Sequence, residues 1–169
     1  MTDPIWKGAA RPRSDAVLAI AADRLGCEVA TLKAVLEVEA AGNAFRADGT
    51  LERRFEPHKM DSMAMSYAAS QDLSRGDREA LFLDAAASDL EAACAATSWG
   101  SPQIMGFNHD AAGYASAVEM VKAFAMFEDA QIEAMARLID DWGLATALRA
   151  HDWRAFARAY NGPAAVGEY

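Results

Sequence analysis

The 169-residue chain has few cysteines, few basic residues and no long apolar run, and each shortage excludes a class of protein. Its two cysteines, Cys27 and Cys94, are too few for a disulfide framework and lack metal-site spacing. We expect buried thiols, and a bridge between them is the alternative. No run of about 18 apolar residues occurs, so no membrane insertion is predicted. With 16 Lys and Arg against 25 Asp and Glu, the net charge of −9 argues against nucleic acid or an anionic membrane as the main partner.

The basic residues that are present form two local clusters. One contains Lys7, Arg11 and Arg13, and the other contains Arg46, Arg53 and Arg54. Surface arginine and lysine are ordinarily solvated. We therefore interpret both clusters as solvated surface charge.

The remaining composition favours a single helical domain over residues 1–169. Hydrophobic residues make up 53% of the chain, which excludes disorder, and β-branched residues are sparse. Ser14, Asp77, Ser116 and Asp152 are predicted N-caps of four of the helices. The segment from Leu51 to Phe55 is predicted to be one short strand or an extended arm, and it is the only non-helical element predicted. The N-terminus lacks the apolar core of a signal peptide, so we expect the chain to accumulate in the cytoplasm.

A glutamate in an apolar stripe is the strongest candidate for chemistry. If residues 28–41 form a helix, one face carries Val29, Leu32, Val35, Leu36 and Glu39. Glu37 points away from that face, and Gly42 is a predicted helix stop. Loss of hydration should raise the pKa of Glu39, as a general acid requires. The alternative is a half-buried glutamate paired with a passing arginine or lysine.

Three segments resemble the N-acetylmuramidase family of phage and prophage endolysins, within the lysozyme superfamily. They are Ala34–Gly42 around Glu39, Ser98–Asn108 with the sequence SWGSPQIMGFN, and Phe156–Pro163 with the sequence FARAYNGP. Goose-type lysozymes and lytic transglycosylases share the broad pattern. The chain departs from the pattern in two places: Ser101-Pro102 replaces two apolar residues, and Ala40 follows the glutamate where serine is common.

The resemblance implies a fold class and a set of substrate contacts. The fold is lysozyme-like and all-α, or α+β with one very short strand, and it forms a saccharide cleft. The implied substrate-binding residues are Ser98, Gln103, Ile104, Tyr160 and Asn161. A glutamine offers a donor and an acceptor to sugar groups, and a tyrosine can pack its ring while its hydroxyl faces a cleft. The alternatives are turn surface for Gln103, and core packing with a helix cap for Tyr160 and Asn161.

The second carboxylate of a glycosidase has two candidates here. Asp48 lies nine residues after Glu39, a spacing known from phage lysozymes, although Arg54 stands where those enzymes carry a threonine. Glu56 lies in a Phe-Glu-Pro-His run that also resembles the endolysins. His58 can titrate near neutrality, but it is more often a hydrogen-bonding partner. A metal site formed by Glu56, His58 and His109 has no recognised spacing, so no metal or other cofactor is expected.

The resemblance implies an enzyme that cleaves the β-1,4 bond between N-acetylmuramic acid and N-acetylglucosamine in peptidoglycan, with Glu39 as the general acid. The alternatives are a lytic transglycosylase with 1,6-anhydro products, and a non-catalytic saccharide-binding or particle-structural protein. A separate cell-wall-binding domain is not expected. A holin, lysis or a virion-like particle would then deliver the enzyme to the wall in the periplasm.

Overall fold

A computed structural model describes residues 3–40 and 43–160, with only the backbone of residues 39 and 40. Within this part the fold is largely helical. The helices are α1 (Asp15–Leu25), α2 (Val29–Ala40), α3 (Tyr67–Gln71), α4 (Arg75–Ser88), α5 (Leu90–Ala95), α6 (Ala117–Met126), α7 (Glu128–Asp141), α8 (Ala145–Arg149) and α9 (Trp153–Tyr160). No helix in the described ranges has the length and apolar character needed to cross a bilayer.

Side-chain caps explain most of the helix starts. Ser14 accepts a hydrogen bond from Val17 N, and Ser116 accepts one from Glu119 N, as the sequence predicts. The Asp152 carboxylate likewise accepts from Ala155 N at the start of α9. The predicted cap at Asp77 is wrong: α4 begins earlier, and Ser74 caps it by accepting from Asp77 N.

A three-stranded antiparallel sheet interrupts the helices. Its strands are β1 (Arg53–Phe55), β2 (Thr97–Trp99) and β3 (Ile104–Met105), in the order β1-β2-β3. The helical fold class is confirmed, and the short strand expected at residues 51–55 is present. The sheet has two strands more than expected. These strands, β2 and β3, lie between α5 and α6, where the sequence predicted no strand.

The two faces of this sheet have different surroundings. Phe55, Trp99 and Ile104 lie on the inner face, where the Phe82 ring of α4 contacts Phe55 at 5.8 Å and Trp99 at 5.7 Å between centroids. Trp6 packs on Phe82 from the N-terminal arm at 4.9 Å. This aromatic cluster joins the sheet to the helices, so it fixes the position of the site built on the outer face.

Helix α2 has the burial pattern predicted from its periodicity. Leu32, Val35 and Leu36 are buried, whereas Glu37 is exposed. The backbone of Glu39 lies in the last turn of α2. The predicted helix stop at Gly42 falls outside the described residues.

Both cysteines are free thiols, and no disulfide joins them. Cys94 is buried as expected, and burial raises its pKa to about 12. Cys27 is only half-buried, which differs from the expectation for that residue. It lies between α1 and α2.

Candidate active site

A tight turn joins β2 to β3 and contains the residues of the central motif. Gly100 and Gln103 both adopt positive φ, of 71° and 48°. A Cβ atom on Gly100 would lie 2.3 Å from Oε1 of Gln131, so only glycine fits there. The Gln103 side chain donates from Nε2 to Gly100 O at 2.9 Å, which closes the turn.

Gln131 of α7 supports this turn through hydrogen bonds of its side chain. The sequence did not single out this residue. Its side chain is fully buried. Oε1 accepts from Ser101 N at 2.8 Å, and Nε2 donates to Phe124 O at 3.1 Å. The available signal was a lone polar residue beside Ile132, at the start of the apolar stripe of α7.

Replacing Gln131 with leucine is expected to destabilise the fold by about 2 to 4 kcal/mol, because Ser101 N and Phe124 O lose their buried partner. Chemical denaturation measures the change. Glu133→Gln, on an exposed position of the same helix, is the control and should stay within about 0.5 kcal/mol of wild type. A loss below about 1 kcal/mol in Gln131→Leu would contradict the supporting role.

Tyr160 reaches the same turn from the end of α9. Its hydroxyl donates to Pro102 O at 3.0 Å, and its ring stacks on Phe156 with centroids 5.3 Å apart. The structure therefore brings together the second and third segments of the resemblance. Asn161 lies outside the described residues.

Ser98 and Ile104 lie on opposite faces of the sheet. Ser98 is 9% exposed, pairs with Arg54 of β1 and donates from Oγ to Met105 Sδ at 3.0 Å. Ile104 pairs with Trp99 and is 2% exposed, so its side chain belongs to the core. The substrate contact expected for Ile104 stays a prediction, and it would involve the backbone because the side chain is buried.

The outer face of the sheet leads to Glu56, just beyond β1. Its backbone N–H donates to Ala96 O at 2.8 Å, which ties it to the start of β2. Its carboxylate accepts from Arg54 Nε at 2.6 Å and from Arg78 Nη1 at 3.3 Å. Arg78 also donates to Phe55 O at 2.6 Å, so one buried guanidinium fixes both the carboxylate and the end of the strand.

His58 completes the surroundings of Glu56. Its Nδ1 lies 2.9 Å from Ser70 Oγ and 3.5 Å from Glu56 Oε2. Ser70 Oγ donates to Tyr67 O, so it accepts from His58, and this assigns the proton to Nδ1. Burial lowers the pKa of His58 despite the opposing charge of Glu56. The imidazole is therefore neutral at pH 7 and acts as a hydrogen-bonding partner.

Asp48 lies in an exposed turn and supports that turn. Its Oδ1 accepts from Thr50 Oγ1 at 2.7 Å and from Thr50 N at 2.9 Å. These two hydrogen bonds lower the pKa of Asp48. Its Oδ1 thus bonds within its own loop, whereas both oxygens of Glu56 contact the side chains of Arg54, Arg78 or His58.

Glu56 and His58 do not form a metal centre with a third ligand. No group of three histidine, cysteine or acidic side chains in the described ranges is arranged to hold a metal ion. His109 bonds instead to its own loop, with Nδ1 2.9 Å from Tyr114 O.

A largely helical fold with a small three-stranded sheet, whose β2–β3 turn is held by Gln131 and Tyr160, defines the lysozyme-like class. The chain belongs to the N-acetylmuramidase family, whose profile matches residues 28–169. A crystal structure of the endolysin of Burkholderia phage AP3 matches with a TM-score of 0.76 and 32% sequence identity, over 99% of this chain and 67% of that chain. No curated protein matches the chain. The resemblance seen in the sequence is confirmed, and both matches support a peptidoglycan-cleaving enzyme.

Proposed function

We propose that the chain is a muramidase that hydrolyses the β-1,4 bond between N-acetylmuramic acid and N-acetylglucosamine in peptidoglycan. The observation that carries the proposal is the junction of Tyr160 with the Gly100–Gln103 turn in a chain of the N-acetylmuramidase family. Two motif segments that are far apart in the sequence meet there, at the turn that joins β2 to β3. A saccharide-binding surface on the outer face of the sheet is consistent with the amide of Gln103 and the polar edge provided by Ser98.

In this proposal Glu39 protonates the leaving glycosidic oxygen. Its backbone lies in the last turn of α2, and the residues three and four positions earlier, Leu36 and Val35, are both buried. Helical periodicity thus assigns position 39 to the apolar stripe. A carboxyl group with little hydration keeps its proton to a higher pH, which suits a general acid.

Glu56 is the better supported of the two candidates for the second carboxylate. Arg54, Arg78 and His58 contact its carboxylate, its side chain is 13% exposed, and it follows the strand that pairs with Ser98. It would position a water molecule or stabilise the positive charge that develops on the sugar. Asp48 is the weaker candidate because both of its bonds to Thr50 stabilise the local turn.

The geometry bears on each of the substrate contacts that the sequence proposed. Ser98 and Gln103 border the turn, and Tyr160 holds Pro102 O, so its first role is to position the turn. A contact by Asn161 stays a prediction. The oxygen atoms of the N-acetyl groups and sugar hydroxyls are the ligands that this set of donors and acceptors suits.

Mass spectrometry of digested muropeptides tests the proposed reaction. Hydrolysis leaves reducing ends and adds one water molecule per cleaved bond. Products that carry 1,6-anhydro ends would identify a lytic transglycosylase and reject hydrolysis. Reducing N-acetylglucosamine ends in place of reducing N-acetylmuramic acid ends would assign cleavage to the other glycosidic bond.

We also propose that the enzyme reaches the wall by a separate delivery step, such as a holin pore or a phage-like particle. The similarity to a phage endolysin supports this route. Cells that express the chain alone should lyse only after their inner membrane is permeabilised. Lysis at the same rate without permeabilisation would argue against the proposed delivery.

A further inference from the structure

An exposed tyrosine lies beside the surroundings of Glu56. Tyr67 is the first residue of α3, and it is 58% exposed. Its ring meets the His58 ring edge-to-face, with centroids 5.0 Å apart and an angle of 85° between the ring planes. Nδ1 of His58 lies in turn 3.5 Å from Glu56 Oε2. One histidine therefore separates an aromatic surface open to solvent from a candidate site carboxylate.

Hydrogen bonds hold the backbone beneath this ring in place. Ser70 Oγ donates to Tyr67 O at 2.7 Å and accepts from His58 Nδ1 at 2.9 Å. The buried Arg78 donates from Nη2 to Ser70 O. A side chain on a fixed backbone loses less conformational entropy when a ligand binds. The Tyr67 ring is thus an exposed group that is already positioned for contact.

The basic cluster of Arg46, Arg53 and Arg54 divides between two environments. The side chains of Arg46 and Arg53 are only 17% and 5% exposed, and both pair with Glu79, so the interpretation as solvated surface charge is wrong for these two. The Arg54 side chain is 50% exposed, on the outer face of β1, as expected for surface charge.

Arg54 joins the outer face of the sheet to α3. Its Nη2 donates to Gln71 Oε1 at the end of α3, at 2.8 Å, and its Nε donates to Glu56 Oε1 at 2.6 Å. In the sheet, Arg54 pairs with Ser98, whose side chain lies on the same face. The outer face of the sheet therefore extends onto the helix that carries Tyr67.

The outer face is long enough for a chain of sugars. At one end Gly100 N donates to Glu52 O at 2.8 Å, and at the other end Glu56 N donates to Ala96 O at 2.8 Å. The four residues from one end to the other span about 13 Å, at the usual rise of about 3.3 Å per residue. The β2–β3 turn borders the first end, and Tyr67 borders the second.

An exposed aromatic ring at the end of this face suits a glycan. In β-1,4-linked N-acetylated hexosamines the substituents are equatorial, so axial C–H groups give each sugar ring an apolar face. Such a face packs well on an aromatic ring, because both surfaces lose contact with water. The contact needs no positive charge on the protein, which agrees with a net charge of −9 for the chain.

We propose that Tyr67 is a stacking platform for a sugar ring of the glycan strand, at the Glu56 end of the outer face of the sheet. The strand would run along this face from the β2–β3 turn to α3. The inference rests on the proposed function, because it takes its ligand, a β-1,4-linked chain of N-acetylated sugars, from that function. It adds a substrate contact that lies outside the three motif segments.

Steady-state kinetics on solubilised glycan strands test the platform. Tyr67→Ala should raise KM by about 5- to 20-fold and leave kcat within about twofold, because stacking holds the strand without touching the reacting bond. Tyr67→Phe keeps the ring, so both constants should stay within about twofold of wild type. An unchanged KM in Tyr67→Ala, a loss of kcat in place of the rise in KM, or an equal loss in Tyr67→Phe would overturn the proposal.

Phe127→Ala is the matched control for loss of an exposed ring. Phe127 lies between α6 and α7, is 41% exposed and contacts Arg11 of the N-terminal arm. Its replacement should leave KM at the wild-type value. An equal rise of KM in Phe127→Ala and Tyr67→Ala would reject a specific role of Tyr67.

Co-sedimentation with insoluble peptidoglycan separates failure of the platform from failure of the proposed reaction. Wild-type protein that binds peptidoglycan without cleaving it would reject the reaction. Binding by Tyr67→Ala that is about 5- to 20-fold weaker than wild type would still support the platform in that case. Equal binding by both proteins would overturn the platform, and a wild type that neither binds nor cleaves would overturn both proposals.

Discussion

Replacing Glu39 with glutamine is expected to lower the rate of peptidoglycan hydrolysis by about 10² to 10⁴-fold, the usual contribution of a general acid. Glutamine keeps the size of the side chain but has no proton to give to the leaving oxygen. Release of reducing sugar from purified peptidoglycan measures the rate. The midpoint of thermal unfolding, measured in parallel, should change little, because a protonated glutamate and a glutamine have the same size and no charge.

Glu37→Gln is the matched control for this variant. Glu37 lies two residues earlier on α2 and is exposed, so its replacement should keep activity within about twofold of wild type. Unchanged clearing of cell walls by Glu39→Gln would reject the catalytic assignment and favour a saccharide-binding or particle-structural protein. Equal losses in both variants would indicate damage to α2 instead of lost chemistry.

The dependence of activity on pH separates a proton-donating role of Glu39 from a structural role, because a structural role would not produce it. A general acid must be protonated, so activity should fall as pH rises through the pKa of Glu39. The descending limb should be absent from Glu39→Gln and present in Glu37→Gln. A limb that is unchanged in Glu39→Gln would contradict the role of Glu39 as the proton donor.

Local signals in the sequence were sufficient for the helices. The caps at Ser14, Ser116 and Asp152 each depend on a side chain that bonds within three residues, which sequence spacing reveals directly. Asp77 was misassigned because Ser74 and Asp77 are both good capping residues. The Ser74 hydroxyl is the N-cap of α4, and Asp77 lies in the first turn of that helix.

Strand pairing could not be read from local signals. In β2 all three residues are buried, so the alternation of apolar and polar residues that marks a half-exposed strand is absent. The pairing of Arg53 with Trp99 joins segments that are far apart in the chain. Arg53 is buried by that pairing and by the aromatic rings that its guanidinium contacts. Neither feature is visible in the composition, so the sequence suggested a solvated side chain.

The sequence motifs indicated which segments to compare at the candidate site, and the roles of their residues stay predictions. The meeting of Tyr160 with the β2–β3 turn was implied by the resemblance, and the structure shows it. The support by Gln131 was missed because helical periodicity marks a buried position without saying which backbone groups a polar side chain will reach. The choice between Asp48 and Glu56 stays a proposal, because neither the spacing nor the hydrogen bonds of each carboxylate show which one faces a substrate.

The second large effect is expected for Glu56. Glu56→Ala should lower hydrolysis by about 10² to 10³-fold, whereas Asp48→Asn should stay within a few fold, because an amide oxygen can still accept from Thr50. The same reducing-sugar assay measures both variants. The fold must be checked by circular dichroism, since Arg78 loses one of its partners, although Phe55 O and Ser70 O still hold it.

Added formate separates a chemical role of Glu56 from a structural one. A small carboxylate can enter the space left by alanine and take over the positioning of water or of positive charge, so it should restore part of the activity of Glu56→Ala. It should have no effect on Glu39→Gln, because formate at neutral pH is not a proton donor. If Asp48→Asn instead shows the large loss and Glu56→Ala retains activity, the second carboxylate is Asp48. If both variants retain activity, the reaction uses one carboxylate, which points to a transglycosylase mechanism in which a hydroxyl group of the substrate replaces water.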